Sequence, residues 1–175
     1  EGWSRIQGEF WRGGPIAPNF KHEEVLPRFT AESVKYIEGR KGKEQPFFLY
    51  VALPAPHTPW LPTKKFHKRT NNLYGDFVAM VDDTVGQILA ALDETKLAKD
   101  TLVIFTSDNG GETNVTSNAP LRGGKSQLYE GGIRVPLIIR WPGETPAGKV
   151  SSQPTANVDF YPTLLKAIGV APDKK

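Results

Sequence analysis

The chain has 175 residues, 38% of them apolar and 23% charged, enough for one domain with a sizeable core and too apolar for a compositionally disordered segment. Lys and Arg number 22 against 19 Asp and Glu, so the net charge of +3 is too small and too scattered for a nucleic-acid footprint, while 17 Gly and 15 Pro exclude a helical bundle. There is no Cys, hence no disulfide framework and no thiolate chemistry, and no apolar run approaches the ~20 residues a membrane helix needs.

The chain starts Glu1-Gly2-Trp3, with neither an initiator Met nor a signal-peptide pattern, inside aromatic-rich sequence. It reads as a piece of a longer chain. Residues 1–29, with Trp3, Phe10, Trp11 and Phe20 separated by Gly13-Gly14-Pro15 and Pro18, read as an irregular segment. Thr30 is expected to cap a helix that carries Glu32 in its first turn and Val34 and Ile37 on one face, with Gly39 and the basic stretch 40–43 ending it. The apolar run 46–52, rich in aromatic and β-branched residues, predicts a strand buried on both faces. Pro54, Pro56, Pro59 and Pro62 then take the chain out of the sheet.

Residues 73–95 have helical spacing, with Tyr74, Phe77, Val78, Val81, Val85, Ile88, Leu89 and Leu92 on one side. Asp76, Asp82, Asp83, Asp93 and Glu94 fall mostly on the other, where the strip Asp82-Asp83 reads as a solvated helix face. Residues 101–106 read as a second strand. Strand, helix, strand in this order predicts a right-handed crossover and parallel pairing. Residues 107–134 lack a period and form a long loop of the functional kind, then 135–140 give a third strand, placed near an edge by Pro136. A last amphipathic helix covers 158–169, with Phe160, Leu164, Leu165 and Ile168 along one face and Gly169 at its end. No stretch reads as a linker, so no internal domain boundary is expected.

In an open α/β sheet, ligands gather at the carboxyl ends of the parallel strands. His57 lies five residues beyond the first strand, and Asp108-Asn109 directly follows the second. Asp108 and Asn109 offer hard oxygen donors for Ca²⁺ or Mg²⁺, or else form a plain turn with Gly110 and Gly111. His57, with a Pro on either side at two-residue spacing or less, is either a fixed proton donor or a hydrogen-bonded loop residue. Lys125, after Gly123-Gly124, is either a point charge for an anionic oxygen or part of a solvated loop, and the spacing is not that of a Walker P-loop. Glu130 and Arg134, four apart, are expected to pair. Asn114-Val115-Thr116 is a glycosylation sequon that chance explains, and His22 and His67 read as surface residues.

Taken in order, these stretches resemble the type I sulfatases, the formylglycine-dependent arylsulfatase family. The motifs that carry the resemblance are the run 46–52 with Pro56-His57-Thr58-Pro59; Asp82-Asp83-Thr84-Val85-Gly86; the strand 101–106 with Ser107-Asp108-Asn109-Gly110-Gly111; Leu121-Arg122-Gly123-Gly124-Lys125; Tyr129-Glu130-Gly131-Gly132-Ile133-Arg134-Val135-Pro136; and Asp159-Phe160-Tyr161-Pro162-Thr163-Leu164-Leu165. They span roughly residues 30–170, and the ordered set is specific where each motif alone is not.

The resemblance implies an alkaline-phosphatase-like α/β fold with a mostly parallel sheet flanked by helices, of which 1–175 would be a C-terminal portion of the catalytic domain. It implies sulfate monoester hydrolysis, with Asp108 and Asn109 ligating Ca²⁺ (or Mg²⁺), and His57 and Lys125 contacting the ester near its bridging oxygen. The substrate would be a sulfated small molecule or glycan, with no nucleic acid and no membrane span, in a periplasmic, secreted or lysosomal setting. The family nucleophile, a formylglycine made from Cys or Ser in Cys/Ser-x-Pro-x-Arg, has no match here. Ser152-Gln153-Pro154-Thr155-Ala156 lacks the Arg, and Ser117-Asn118-Ala119-Pro120-Leu121-Arg122 has one residue too many before Pro. The nucleophile and the remaining acidic ligands are therefore expected from sequence upstream, and the chain alone is expected to be inactive. A phosphate or phosphonate ester hydrolase of the same superfamily, and a non-catalytic anion-binding α/β module, are the alternative readings.

Overall fold

A computed structural model describes residues 3–6, 9–12 and 14–171, the first two segments by their backbone alone. The chain divides into two compact units, Glu1–Glu144 and Thr145–Lys175.

In the first unit, β1 (Trp3–Ile6) and β2 (Glu9–Arg12) pair antiparallel, Trp3 opposite Arg12 and Ile6 opposite Glu9, within the stretch expected to be irregular. Helix α1 is Val25–Glu38 and begins before the expected cap. A short 3₁₀ turn at His22–Glu24 leads into it, and Pro27 sits in its first turn, where a missing N–H costs nothing. Leu26, Thr30, Ser33 and Ile37, spaced four, three and four, make its buried stripe. Thr30 is thus an interior residue and not a cap. Its hydroxyl lies 2.9 Å from Leu26 O and 2.8 Å from the Thr84 hydroxyl of the next helix, which in turn lies 3.1 Å from Met80 O. Two hydroxyl protons serve these three contacts, so the pair is a polar rivet between two apolar helices. Gly39 ends α1 as expected, its N–H bonded to Lys35 O at 3.0 Å.

Helix α2, Leu73–Glu94, has the predicted extent, but its buried stripe runs through Phe77, Met80, Thr84, Ala91 and Leu92, and Val78 of the predicted face is exposed. Asn72 caps it, its side chain accepting from Gly75 N at 2.7 Å. Two apolar clusters hold α1 against α2. One joins Leu26, Ala55, Phe66, Phe77 and Met80; the other joins Ile37, Ala91 and Leu92, with Phe47, Leu49 and Val103 packed on it. Each large side chain so buried contributes roughly 1.5–3 kcal/mol. Asp76, at the start of the same helix, is not on an open polar side. It is only 3% exposed, and its carboxylate accepts Lys68 N at 2.9 Å, Thr70 N at 2.7 Å and the Thr70 hydroxyl at 3.0 Å. The outer face of α2 also carries Gly86, where an added Cβ would meet nothing within 4 Å. Gly86→Ala is expected to raise stability by about 0.5–1 kcal/mol in urea unfolding, because it removes backbone freedom from the unfolded chain without cost to the folded one.

The segment 46–52 is extended but joins no ladder among the described residues. Phe47 and Leu49 face the helices, while Phe48 and Tyr50 are 75% and 80% exposed. The period of two is that of a strand, but one face is covered and not both, and the expected parallel pairing with the next strand is not formed. That strand, β3 (Val103–Thr106), pairs antiparallel with β4 (Leu137–Arg140), Val103 opposite Arg140 and Thr106 opposite Leu137. A single turn of helix, α3 (Glu130–Ile133), lies in the connection between them, and Glu130 pairs with Arg134 at 3.5 Å as expected.

In the second unit, α4 (Phe160–Ala167) follows a 3₁₀ turn at Asn157–Asp159, whose Asp159 carboxylate accepts Ala156 N at 2.7 Å. Phe160, Leu164 and Leu165 are half-buried, but Ile168 is exposed and leaves the expected apolar face. Gly169, at φ +74°, ends the helix in the left-handed region that favours glycine. No described helix is long and apolar enough to cross a membrane.

Candidate functional site

Antiparallel pairing of β3 with β4 brings both ends of the connection 107–136 to the carboxyl end of β3. The Thr106 hydroxyl donates to Pro136 O at 3.0 Å and closes this base. Ser107 then turns the chain, its hydroxyl donating to Asn109 O at 2.9 Å, and presents Asp108 and Asn109 outward. Asn109 Nδ2 donates to Asp108 Oδ1 at 2.8 Å. The second carboxylate oxygen of Asp108 and the amide oxygen of Asn109 remain as hard donors.

The rest of the connection is held by hydrogen bonds, not by an apolar core. Gly110 N donates to Gly132 O at 2.9 Å, Gly131 N to Arg122 O at 2.7 Å, and Lys125 N to Gly111 O at 3.1 Å. The glycines are there for close approach. A Cβ on Gly110 would lie 1.7 Å from Gly131 O, one on Gly131 2.2 Å from Gly123 O, and one on Gly132 2.0 Å from Gln127 O. The loop that composition alone leaves open to a solvated reading is tightly interlocked. Lys125 is fixed beside the Asp108–Gly111 turn and makes no ion pair among the described residues. Arg122 stacks on the Tyr129 ring, 3.8 Å from its centroid.

His57 lies on the Pro-rich loop after the 46–52 segment. Ala55 anchors this loop in the first apolar cluster, with Leu53 and Trp60 packed on it, and His57 N donates to Pro54 O at 3.2 Å. The imidazole is exposed, with Nδ1 2.9 Å from Thr58 O. A carbonyl only accepts, so Nδ1 carries the proton of that bond and Nε2 is left for another partner. The hydrogen bonds of His57 stay within its own loop. Trp60, three residues on, meets Tyr74 edge to face at 5.8 Å. Tyr74 lies at the start of α2. Burial pushes the Tyr74 phenol above its ordinary pKa, with the nearby Thr116 side chain opposing, so the phenol stays protonated.

Asp108, Asn109 and Lys125 therefore lie on one interlocked loop, and His57 lies on another, its hydrogen bonds staying with Pro54 and Thr58. The sequence reading missed Asn118, which holds the loop together. Its Oδ1 accepts Gly111 N at 2.9 Å, and its Nδ2 donates to Gly111 O at 2.9 Å and Gly123 O at 3.1 Å. The only signal was its place between two glycine pairs that need bridging. Asn118 had entered the reading solely as part of a failed nucleophile motif.

A sequence model of the sulfatase family matches residues 11–170. Steryl-sulfatase of Homo sapiens is 40% identical over 164 residues, covering 88% of this chain and 28% of that protein. N-acetylgalactosamine-6-sulfatase of Mus musculus is 35% identical over 176 residues, covering 97% of this chain and 34% of that protein. Among solved structures, Ps i-CgsB in complex with k-i-k-neocarrahexaose superposes with a TM-score of 0.79 at 36% identity, over 85% of this chain and 35% of that one. The chain thus spans about a third of the length of the relatives it matches.

Proposed function

Because this chain belongs to the sulfatase family, we propose that it forms the cation-binding and leaving-group side of an active site that hydrolyses sulfate monoesters to an alcohol and sulfate. The observation that supports this reading is the backbone bond from Lys125 N to Gly111 O, which brings the main chain of a lysine to the turn that carries Asp108-Asn109.

Asp108 and Asn109 would hold a divalent cation, Ca²⁺ or Mg²⁺. Their free oxygens are the hard donors such an ion takes, and two of the six to eight that Ca²⁺ requires. No group of three His, Cys, Asp or Glu able to hold a metal occurs among the described residues, so the other ligands are assigned to other parts of the protein. When bound, the cation supplies positive charge that offsets the negative charge of the ester and of the attacking group.

Lys125 places its ammonium near the bridging oxygen, where negative charge grows as the S–O bond breaks. His57, its Nδ1–H held by Thr58 O, acts in its imidazolium form and gives the Nε2 proton to the departing oxygen, so that an alcohol leaves and not an alkoxide. The nucleophile, a hydrated formylglycine in this reading, is not assigned to any residue of this chain, which on its own is then inactive. A sulfated small molecule or glycan is the substrate. The names of the relatives, a steryl-sulfatase and an N-acetylgalactosamine-6-sulfatase, and the carrageenan-type oligosaccharide in the solved complex support that range.

The test is turnover of 4-nitrophenyl sulfate by the intact, active protein. Lys125→Ala, His57→Ala and Asp108→Ala are each expected to lower kcat/KM by roughly a hundredfold or more, the usual effect of removing one charge-stabilising group. Parent-like turnover in all three would reject the assignment.

A further inference from the structure

We propose that Asn118 is a positioning residue for Lys125, and that its amide sets where the ammonium stands relative to the departing oxygen. This rests on the reading of Lys125 given above. The amide reaches both strands of the loop at once. It clasps Gly111 from two sides, through N–H and C=O, and spans to Gly123 O. The carbonyl it holds, Gly111 O, is also the acceptor for Lys125 N. One oxygen therefore fixes the lysine backbone, and Asn118 fixes that oxygen.

The slot is built for this side chain. A Cβ on Gly111 would come within 3.0 Å of Asn118 Oδ1, and one on Gly124 within 2.7 Å of Asn118 Nδ2. Two glycines flanking the site thus leave the room that the amide fills. All three of its polar contacts are to backbone, with none to another side chain, so its bonds serve the path of the chain and nothing else. Asp at this position would put a carboxylate oxygen against two carbonyls, and Ala would leave the clasp empty.

The experiment is a double-mutant cycle in the intact, active protein, read with a series of aryl sulfates whose leaving phenols differ in pKa. Asn118→Ala, Asn118→Ser, Asn118→Asp and Lys125→Ala are measured singly, and Asn118→Ala and Asn118→Ser also with Lys125→Ala. Cooperative thermal unfolding qualifies each variant as folded, and Asn118→Ser, which keeps a polar group in the slot, stands in where Asn118→Ala does not fold. The expected result is a tenfold or greater fall in kcat for each Asn118 variant, with KM little changed. The fall should grow as the leaving group worsens, with the same trend as Lys125→Ala, and should vanish in the Lys125→Ala background. If Lys125→Ala is slow but the Asn118 loss multiplies with it undiminished, or is equal for all leaving groups, the positioning role is overturned and the role of Lys125 stands. If Lys125→Ala turns over like the parent, both are overturned.

Discussion

Alanine at Gly110 is expected to cost about 4 kcal/mol or more of stability and to abolish turnover, which places it at the exceptional end of single substitutions. Gly110 does not need glycine for a left-handed backbone, since its φ is not among the positive ones. It needs glycine because another main chain lies where the Cβ would go. The methyl would stand 1.7 Å from Gly131 O, 2.8 Å from Gly131 C and 3.0 Å from Gly132 Cα. All three atoms are backbone, so no side chain can rotate away. Gly131 cannot retreat, because it is itself packed against Gly123 O, and its N–H is bonded to Arg122 O. The methyl must force open the Gly110 N to Gly132 O bond and the loop that carries Lys125 with it. Urea unfolding should show the loss, with Gly14→Ala, whose added Cβ meets nothing within 4 Å, staying within about 0.5 kcal/mol of the parent. A Gly110→Ala protein as stable as the parent would mean the interlock is not formed.

That interlock shows where sequence reasoning stops. The order His57, Asp108-Asn109, Lys125 was readable because each residue sits in a distinctive local frame, and the order of frames matches a family. The glycines were readable as a loop but not as a lock, because composition reports freedom and only contact reports its use. Helix α2 was legible over nearly its whole length because six turns of apolar period leave little room for error. The start of α1 was not. Thr30 has the chemistry of a cap, but its hydroxyl lies against Leu26 O and, across the interface, against Thr84, a contact 54 residues away that no local pattern contains. The run 46–52 announced an extended segment by its residues. Whether an extended segment has a ladder depends on what lies beside it, and Phe48 and Tyr50, on the uncovered face, could not be told from Phe47 and Leu49.

The same limit hid Asp76, and its removal is the second large effect expected. Beside Asp82, Asp83 and Asp93 it reads only as one more acid on the side of the helix away from the apolar stripe. What buries it is the loop 68–70 folding back over the first turn of α2, with N–H groups that need an acceptor. Asp76→Ala would leave the N–H groups of Lys68 and Thr70 without their partner, and Tm is expected to fall by about 10 °C. The pH dependence separates this carboxylate from the others. Its pKa is held below the ordinary aspartate value, first by the Thr70 N–H, against the opposing effect of burial, and then by the Lys68 N–H and the Thr70 hydroxyl. The folded pKa is the lower one, so between it and the unfolded value of about 3.9 the unfolded chain binds the proton more readily. The stabilisation is therefore complete above about pH 4 and is lost as pH falls through the folded value. Asp83, through Lys65, and Glu24, through Arg28 and Lys21, have lowered values too, but these rest on ion pairs with exposed cations that salt screens. At about 0.5 M salt the ion pairs should fade and the backbone-held carboxylate should not. Under those conditions the fall of Tm below about pH 4 should persist in the parent and flatten in Asp76→Asn. An acid limb of equal depth in both proteins would assign it to other carboxylates and remove Asp76 from the account of how the loop before α2 is held.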